Sequence, residues 1–222
     1  MFPPASLDVE AAVMEDARAR RSEHAWMLAR FVCPASRLEE LGAVRGWDHA
    51  PPISVVLDGA EWRGSPAPVE AVEMVGPPRD DVGGVEAFCE VSPREEGWRD
   101  ALEQVAAAGA KAKLRCGGAT VPTVEEVAAF FAAARDLELA FKATAGLHHP
   151  VRTEREHGFL NFLTAAELAR DGGGESELRA VLATTDPEAL GTGSAAAREL
   201  FVSIGSCSFS EPVEDLRALG LL

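Results

Sequence analysis

Three lysines are the residues whose type and spacing could do chemistry in this chain. Lysine and arginine together number 21, yet only Lys111, Lys113 and Lys142 are lysines, and they lie in AKAKLRC (110–116) and LAFKATAG (139–146). An ammonium group is a compact point charge whose pKa falls readily on burial, whereas a guanidinium stays charged. We therefore interpret this region as a site for anion binding or for reactions that use a lysine.

The residues around these lysines alternate between apolar and charged, which is typical of β-strands with two different faces. In 110–116 the apolar residues share one side, and the basic residues Lys111, Lys113 and Arg115 share the other. In 139–146, Lys142 and Thr144 lie opposite the apolar positions. The stretch VEAFCEV (85–91) places its acidic residues on one side in the same way, at Glu86 and Glu90.

Strand and helix patterns alternate along the chain. We predict strands at 25–32, 53–59, 69–75, 85–91, 110–116, 139–146 and 201–206, with a weaker eighth at 181–184. Helices are predicted at 35–44, 98–109, 124–138, 157–172 and 211–219, and Thr123 and Glu126 form a capping box at the start of the third. Residues 1–24 are interpreted as an N-terminal helix with a narrow apolar stripe from residue 5 onward.

This alternation indicates βαβ units and a parallel sheet. The predicted fold class is α/β, a (β/α)8 TIM-like barrel with abridged connections, formed by residues 1–222 as one domain. The alternative is an open, parallel, doubly wound sheet. We favour the barrel because helices cover both faces of an open parallel sheet and make its strands continuously apolar. Here one strand face is charged, as expected inside a barrel mouth.

The carboxyl ends of barrel strands form the active sites of such folds. The groups predicted there are acids, bases and hydroxyls: Asp58, Glu73, Glu90, Lys113, Arg115, Lys142, Thr144, His148, His149, Ser206 and Ser208. Opposite charges this close favour each other's ionised forms. The purely structural alternative is a set of buried salt bridges in a barrel interior.

We assign catalytic roles to Lys142, Lys113, Glu90 and His148. Lys142 would form a Schiff base, favoured by the second cation Lys113, or would hold an anionic or enolate oxygen electrostatically. Glu90 or His148 would transfer the proton. Substrate binding is assigned to the remaining polar groups near the strand ends: Arg115, Glu73, Asp58, Thr144, Arg152, Ser206 and Ser208. The turns at 115–118 and 205–208 would offer backbone N–H groups to a phosphate or carboxylate.

Two resemblances accompany these residues. The segment FKATAG (141–146) resembles the lysine-bearing strand of class I aldolases of the deoxyribose-phosphate type, which implies a Schiff base at Lys142. The segments AKLRCGG, FKATAGLHHPVR, HGFLNFL and SIGSCSFSEPVEDLRALGLL resemble those of bacterial proteins from Ala/Arg-rich genomes with a (β/α)-barrel-like pattern. The second resemblance runs from about residue 110 onward and implies no particular activity.

Composition narrows the classes of partner. A formal net charge of −15 argues against nucleic acid and against anionic membranes. The four cysteines form no CxxC pair, and no P-loop, GxGxxG or GxSxG motif occurs. We predict no cofactor and no bound metal, a small anionic metabolite as partner, and a soluble, cytoplasmic protein; the pattern does not indicate an oligomeric state.

Three functions follow as hypotheses. The first is a barrel enzyme acting on a small anionic carbonyl or phosphorylated metabolite by lyase or isomerase chemistry. The second is a non-catalytic barrel that binds an anion or a protein partner. The third is a metal-dependent hydrolase in which a histidine and Glu73, Glu90 or Asp58 would hold the metal.

Overall fold

The fold is built on one seven-stranded parallel sheet whose order follows the chain from β1 to β7. The computed structural model describes residues 7–44, 51–60, 62, 64–65, 68–78, 84–118 and 121–222. The strands are β1 Phe31–Pro34, β2 Ile53–Val56, β3 Val69–Val75, β4 Glu86–Glu90, β5 Lys111–Arg115, β6 Phe141–Thr144 and β7 Phe201–Gly205. Each of the seven clear strands predicted from the sequence overlaps an observed strand, although β1 shares only residues 31 and 32 with its prediction.

Eight α-helices occur in the described part of the chain. They are α1 Val9–Ala19, α2 Leu38–Ala43, α3 Trp98–Ala107, α4 Val124–Asp136, α5 Phe159–Arg170, α6 Glu175–Ala183, α7 Ala197–Leu200 and α8 Ser210–Ala218. The capping box of α4 is present, with the Thr123 hydroxyl accepting from the Glu126 N–H and the Glu126 carboxylate accepting from the Thr123 N–H.

The apolar strand face packs against the helices and forms the core. Phe141 is fully buried there and makes edge-to-face contacts with Phe130 and Phe131 of α4, with ring centroids 5.2 and 4.9 Å apart. Leu114 and Cys116 lie in the same core. Because this face is taken up by helix packing, the charged residues of the same strands must face the other side of the sheet.

The sheet is open, which corrects the predicted closed barrel. Among the described residues β1 and β7 form its two edges and no eighth strand lies between them. The segment predicted as an eighth strand, 181–184, instead ends α6, because Leu178 and Leu182 are buried one turn apart on a helix face. The open parallel sheet of the alternative is confirmed. It is not doubly wound, because its strand order never reverses.

The sheet curls like a half-barrel around its charged face. Arg30, directly before β1, forms an ion pair with Glu86 at the start of β4, and a second with Glu70 in β3. Three strand spacings separate β1 from β4, about 14 Å in a flat sheet. These ion pairs therefore reach across the concave face and join the amino ends of distant strands.

Two predicted boundaries at the start of the chain were wrong. The N-terminal helix spans Val9–Ala19 within the described residues, so it is shorter than 1–24. Residues 25–27 form one 3-10 turn, and β1 begins only at Phe31. Among the described helices, none has the length and apolar character needed to cross a bilayer.

Candidate functional site

Two lysines and a glutamate form a buried ion-pair network on the concave face. Glu73 of β3 accepts from the Lys142 ammonium at 2.6 Å through Oε1 and pairs with Lys113 at 3.4 Å through Oε2. Ser54 of β2 donates its hydroxyl to the same Oε1 at 2.9 Å. All four residues are buried, so these polar groups satisfy one another rather than water.

The strand register explains why these side chains meet. Lys113 pairs with Lys142 across β5 and β6, and Glu90 pairs with Lys113 across β4 and β5. Glu73 lies beside Phe88 of β4, and the Lys142 nitrogen is 5.2 Å from the centre of the Phe88 ring. The carboxylate of β3 thus reaches an ammonium three strands away, because the sheet curls over Phe88.

Glu90 and Arg115 connect this network to solvent. Glu90 accepts from Lys113 at 2.9 Å and from the Arg115 guanidinium at 2.7 Å, with a second Arg115 nitrogen at 3.1 Å. The exposed fraction of the side chain rises from 3% at Lys113 to 15% at Glu90 and 48% at Arg115. A ligand would therefore approach from the carboxyl ends of the strands, past Arg115.

The network stabilises the charged form of both carboxylates. Burial opposes ionisation of Glu73, but the ammonium groups of Lys142 and Lys113 outweigh it and lower the pKa below its ordinary value. Burial likewise opposes ionisation of Glu90, and the hydrogen bond from Arg115 and the charge of Lys113 lower its pKa. With Lys142, Lys113 and Arg115 facing two carboxylates, the network has one excess positive charge.

We expect these carboxylates to make the protein acid-sensitive. A carboxyl group whose pKa is lower in the folded state stabilises the fold above its unfolded pKa, and this stabilisation is lost as pH falls through the folded value. The free energy of unfolding should thus decrease as pH falls below about 4.5, the ordinary pKa of glutamate. Urea unfolding between pH 7 and pH 3 measures this dependence. Glu73→Gln should flatten it, and an unchanged slope in that variant would contradict the assignment.

Lysine, glutamate and arginine positions predicted from the sequence come together here, but the histidines do not. His148 lies 3.9 Å from the Cys207 sulfur and 3.7 Å from a Glu211 oxygen. His149 pairs with Asp215 of α8 at 2.7 Å, and this hydrogen bond raises the pKa of its imidazole. Both histidines therefore attach the loop after β6 to α8 and its preceding turn.

The other predicted binding residues also have separate partners. Asp58 accepts from the Ser36 hydroxyl and backbone N–H. Arg152 donates to Nδ1 of buried His157, whose Nε2 donates to the Pro122 carbonyl. The Ser206 hydroxyl donates to the Ser208 carbonyl at the turn after β7. Each of these side chains is thus occupied in local turn or loop structure.

Thr144 occupies an intermediate position. It follows Lys142 by two residues on the same face of β6, and its side chain lies against Gly205, where an added Cβ would come 2.9 Å from the hydroxyl oxygen. Glycine at 205 therefore leaves room for Thr144 at the strand end.

Sequence reasoning missed two parts of the concave face. Ser54 was not singled out, although alternation within ISVV places it opposite the buried Ile53 and Val55. A second cluster at the amino ends of the strands was also missed. In it Glu86 pairs with both Lys111 and Arg30. Lys111 thus serves a different charge cluster from the other two lysines.

The loops after β5 and β6 touch through two glycines. A Cβ on Gly146 would lie 2.4 Å from the Cys116 carbonyl oxygen, and one on Gly117 would lie 2.7 Å from the Gly146 nitrogen. Gly146 also has a φ of +64°, and the preceding Ala145 a φ of +58°. This close approach fixes the ends of the strands that carry Lys113 and Lys142.

We expect Gly146→Ala to lower the free energy of unfolding by about 2–4 kcal/mol, because the new methyl adds a backbone clash to a strained conformation. Gly172→Ala is the matched control, since Gly172 has a φ of +87° but nothing within 4 Å of an added Cβ. It should cost only about 1 kcal/mol, the conformational part. Equal losses in the two variants, measured by urea unfolding, would contradict the close loop contact.

The described residues do not support a metal site or a cysteine nucleophile. Within the described ranges no group of three or more His, Cys, Asp and Glu residues is arranged to hold a metal ion. Burial raises the pKa of the Cys116 thiol and, with nearby carboxylates, that of Cys207. A raised pKa disfavours the thiolate, which is the reactive form.

Comparison with known proteins yields no relationship: no family model, curated protein or solved structure matches the chain. The geometry of the concave face therefore carries the functional argument.

Proposed function

We propose that the protein is an enzyme that forms an enolate, or its equivalent, from a small anionic carbonyl compound. The Lys142–Glu73–Lys113–Glu90 network is the observation that carries this proposal. Such chemistry is shared by isomerases and by carbon–carbon lyases. Lys142 would hold the carbonyl oxygen, Glu90 would exchange the α-proton, and Arg115 would meet the anionic group of the substrate.

Burial of the network supports a functional role over a purely structural one. Removing two charges from water costs several kcal/mol for each ion, and apolar residues of similar size commonly stabilise a fold equally well or better. Ionisable groups whose pKa values are perturbed by burial and by nearby charges are enriched at active sites. Lysine at 113 and 142, in a chain whose other basic residues apart from Lys111 are all arginine, points to a use for small ammonium groups.

The reaction step is a proton transfer. The Glu90 carboxylate removes a proton from the carbon next to the substrate carbonyl, and the C–H electron pair moves to the carbonyl oxygen. The negative charge that develops on this oxygen is stabilised by the ammonium of Lys142, a preorganised charge in a water-poor site. Return of the proton to the same carbon completes exchange. If that carbon carries a hydroxyl group, movement of the hydroxyl proton to the former carbonyl oxygen and return of the carbon proton to the neighbouring carbon complete isomerisation.

The ion pair between Lys142 and Glu73 favours the electrostatic form of this chemistry over a Schiff base. At 2.6 Å the carboxylate stabilises the ammonium, whereas a nucleophilic amine must have lost its proton. A covalent route would require Glu73 to take that proton. Borohydride added together with pyruvate, 2-oxobutyrate, dihydroxyacetone phosphate or acetaldehyde distinguishes the Schiff base from the electrostatic route. Reduction of a Schiff base leaves a permanent mass increase on Lys142.

The proposal is tested by solvent deuterium exchange. The protein is incubated in D2O with pyruvate, 2-oxobutyrate, dihydroxyacetone phosphate or acetaldehyde, and loss of the α-proton signal is followed by 1H NMR. We expect exchange above the buffer rate with at least one anionic compound and less with acetaldehyde. If all four exchange only at the buffer rate, the proposed chemistry is wrong.

A second candidate, a binding module for a small anion, is favoured by the single excess positive charge that Arg115 adds to the network. It predicts that an anion raises the melting temperature without any exchange or turnover, since a ligand bound only by the native state stabilises it. Loss of that shift in both Lys113→Met and Lys142→Met, with no exchange in the wild type, would favour this candidate.

A further inference from the structure

Three backbone N–H groups of buried residues lie at the carboxyl ends of β5 and β6 without a hydrogen-bond acceptor among the described residues. They belong to Gly117, Gly146 and Leu147, and no described residue accepts from them. The neighbouring Cys116 N–H, by contrast, donates to the Thr144 carbonyl at 2.8 Å. The three donors thus begin where the hydrogen bonding between the two strands ends.

Such groups are uncommon in folded proteins. More than nine in ten buried backbone N–H groups have a partner, because leaving one unpaired costs as much as a lost hydrogen bond. Gly117, Gly146 and Leu147 are all buried residues. Three such N–H groups on two touching loops therefore offer neighbouring hydrogen-bond donors to a ligand.

The backbone conformation supports a shared direction for two of these donors. In a β-strand successive N–H groups point to opposite sides, but successive residues in a helical conformation of either hand align them. Ala145 and Gly146 are both left-handed, with φ values of +58° and +64°. Alanine adopts this region only at a cost of about 1–3 kcal/mol, and such strain is concentrated at functional sites.

Charge near these amides favours an anion. Arg115 ends β5, one residue before Cys116, and its guanidinium gives the group of Lys142, Lys113, Arg115, Glu73 and Glu90 one excess positive charge. Backbone N–H groups arranged in a concave turn bind phosphate oxygens in many proteins. Arg115 adds a charged donor on the same strand end, and guanidinium groups pair strongly with phosphate oxygens.

We propose that the amides of Gly117, Gly146 and Leu147, together with Arg115, bind the phosphate group of a phosphorylated substrate. This inference rests on the proposed function and specifies its substrate class as a phosphate monoester of a small carbonyl compound. The phosphate would sit at the ends of β5 and β6, while the carbonyl oxygen reaches Lys142 below it.

The inference is tested by titrating the 15N-labelled full chain with inorganic phosphate and recording amide spectra. We expect saturable downfield shifts of the Gly117, Gly146 and Leu147 amide protons, and smaller shifts with acetate at equal ionic strength. Arg115→Gln should weaken phosphate binding about tenfold or more, the effect of one charge-assisted hydrogen bond. Arg170→Gln, which removes an exposed ion pair with Glu199, is the matched control and should bind like the wild type.

Phosphate could instead bind at another basic surface, and the titration distinguishes that result. A groove of about 610 Å³ lies at the start of α4 and along α6, and Thr123, Arg152 and Arg179 line it. Saturable shifts confined to residues around this groove, or no saturable shift at any of the three amides, would overturn the inference.

Failure of the phosphate site can be distinguished from failure of the proposed enolate chemistry. Lys142→Met should still show saturable phosphate-induced shifts of the three amides, because Lys142 lies below the amide site, although the loss of one positive charge weakens the binding. Shifts without deuterium exchange in the wild type would leave the phosphate site and remove the chemistry. Exchange with pyruvate but no amide shifts would leave the chemistry and remove the phosphate site.

Discussion

Replacing Lys142 by methionine is expected to slow wild-type deuterium exchange by about 10²–10³-fold, the effect of removing one donor to a developing oxyanion. Methionine has nearly the same length as the lysine stem but no charge, so the enolate oxygen would lose its nearest cation. Exchange is measured by 1H NMR with the best substrate of the panel, and circular dichroism verifies that the variant is folded.

Lys111→Met is the matched control for this prediction. Lys111 lies on the same strand as Lys113, but its ammonium pairs with Glu86 at the amino ends of the strands. The exchange rate of Lys111→Met should therefore stay within about twofold of the wild type, since this half-buried ion pair belongs to a different charge cluster from Lys142. Equal loss of exchange in both variants would mean that Lys142 acts through stability alone.

Glu73→Leu is expected to lower the free energy of unfolding by about 3–5 kcal/mol, because it leaves two buried ammonium groups without their shared carboxylate. Glu73 is the central member of the network, with Lys142, Lys113 and Ser54 all within 3.4 Å. Urea unfolding at pH 7 measures the loss. This pH lies above the range in which the wild-type carboxylates become protonated.

Glu70→Leu provides the comparison on the same strand. Glu70 pairs with Arg30, but its side chain is 52% exposed, so its loss should cost less than about 1 kcal/mol. Replacing Glu73, Lys113 and Lys142 together by leucine and methionines should recover most of the stability lost in Glu73→Leu. Failure of the triple variant to recover would mean that the network stabilises the fold more than apolar packing does.

Strand positions could be predicted because alternation is a local property. The pattern in 110–116 fixes which residues meet the helices, and Lys113 and Arg115 accordingly lie on the concave face. Parallel strands in chain order then bring Lys113 beside Lys142. The gathering of these groups at the concave face thus follows from side-chain periodicity and from the sequential strand order.

Closure of the sheet could not be predicted, because it depends on packing between distant segments. The stretch 181–184 is too short for periodicity to distinguish a strand from the last turn of a helix. Burial of Leu178 and Leu182 on one face of α6 makes this segment helical. With that segment helical, no described strand is left to join β7 to β1.

The positions of loop residues could not be predicted from the sequence either. His148 and His149 lie just after the predicted strand 139–146, so the sequence predicted that one of them would face the site at the strand ends. The left-handed residues Ala145 and Gly146 turn the chain toward α8 instead. The sequence does not predict a left-handed residue at Ala145, since alanine rarely adopts this conformation.

A crystal structure of the protein soaked with oxalate tests the central claim most directly. Oxalate is a planar dianion that mimics the enolate of pyruvate. We predict that one oxalate oxygen lies within hydrogen-bond distance of the Lys142 ammonium, with Glu90 or Arg115 displaced to admit it. Oxalate bound only elsewhere, with the Lys142–Glu73 and Lys113–Glu90 ion pairs unchanged, would contradict the account and leave the network a structural feature.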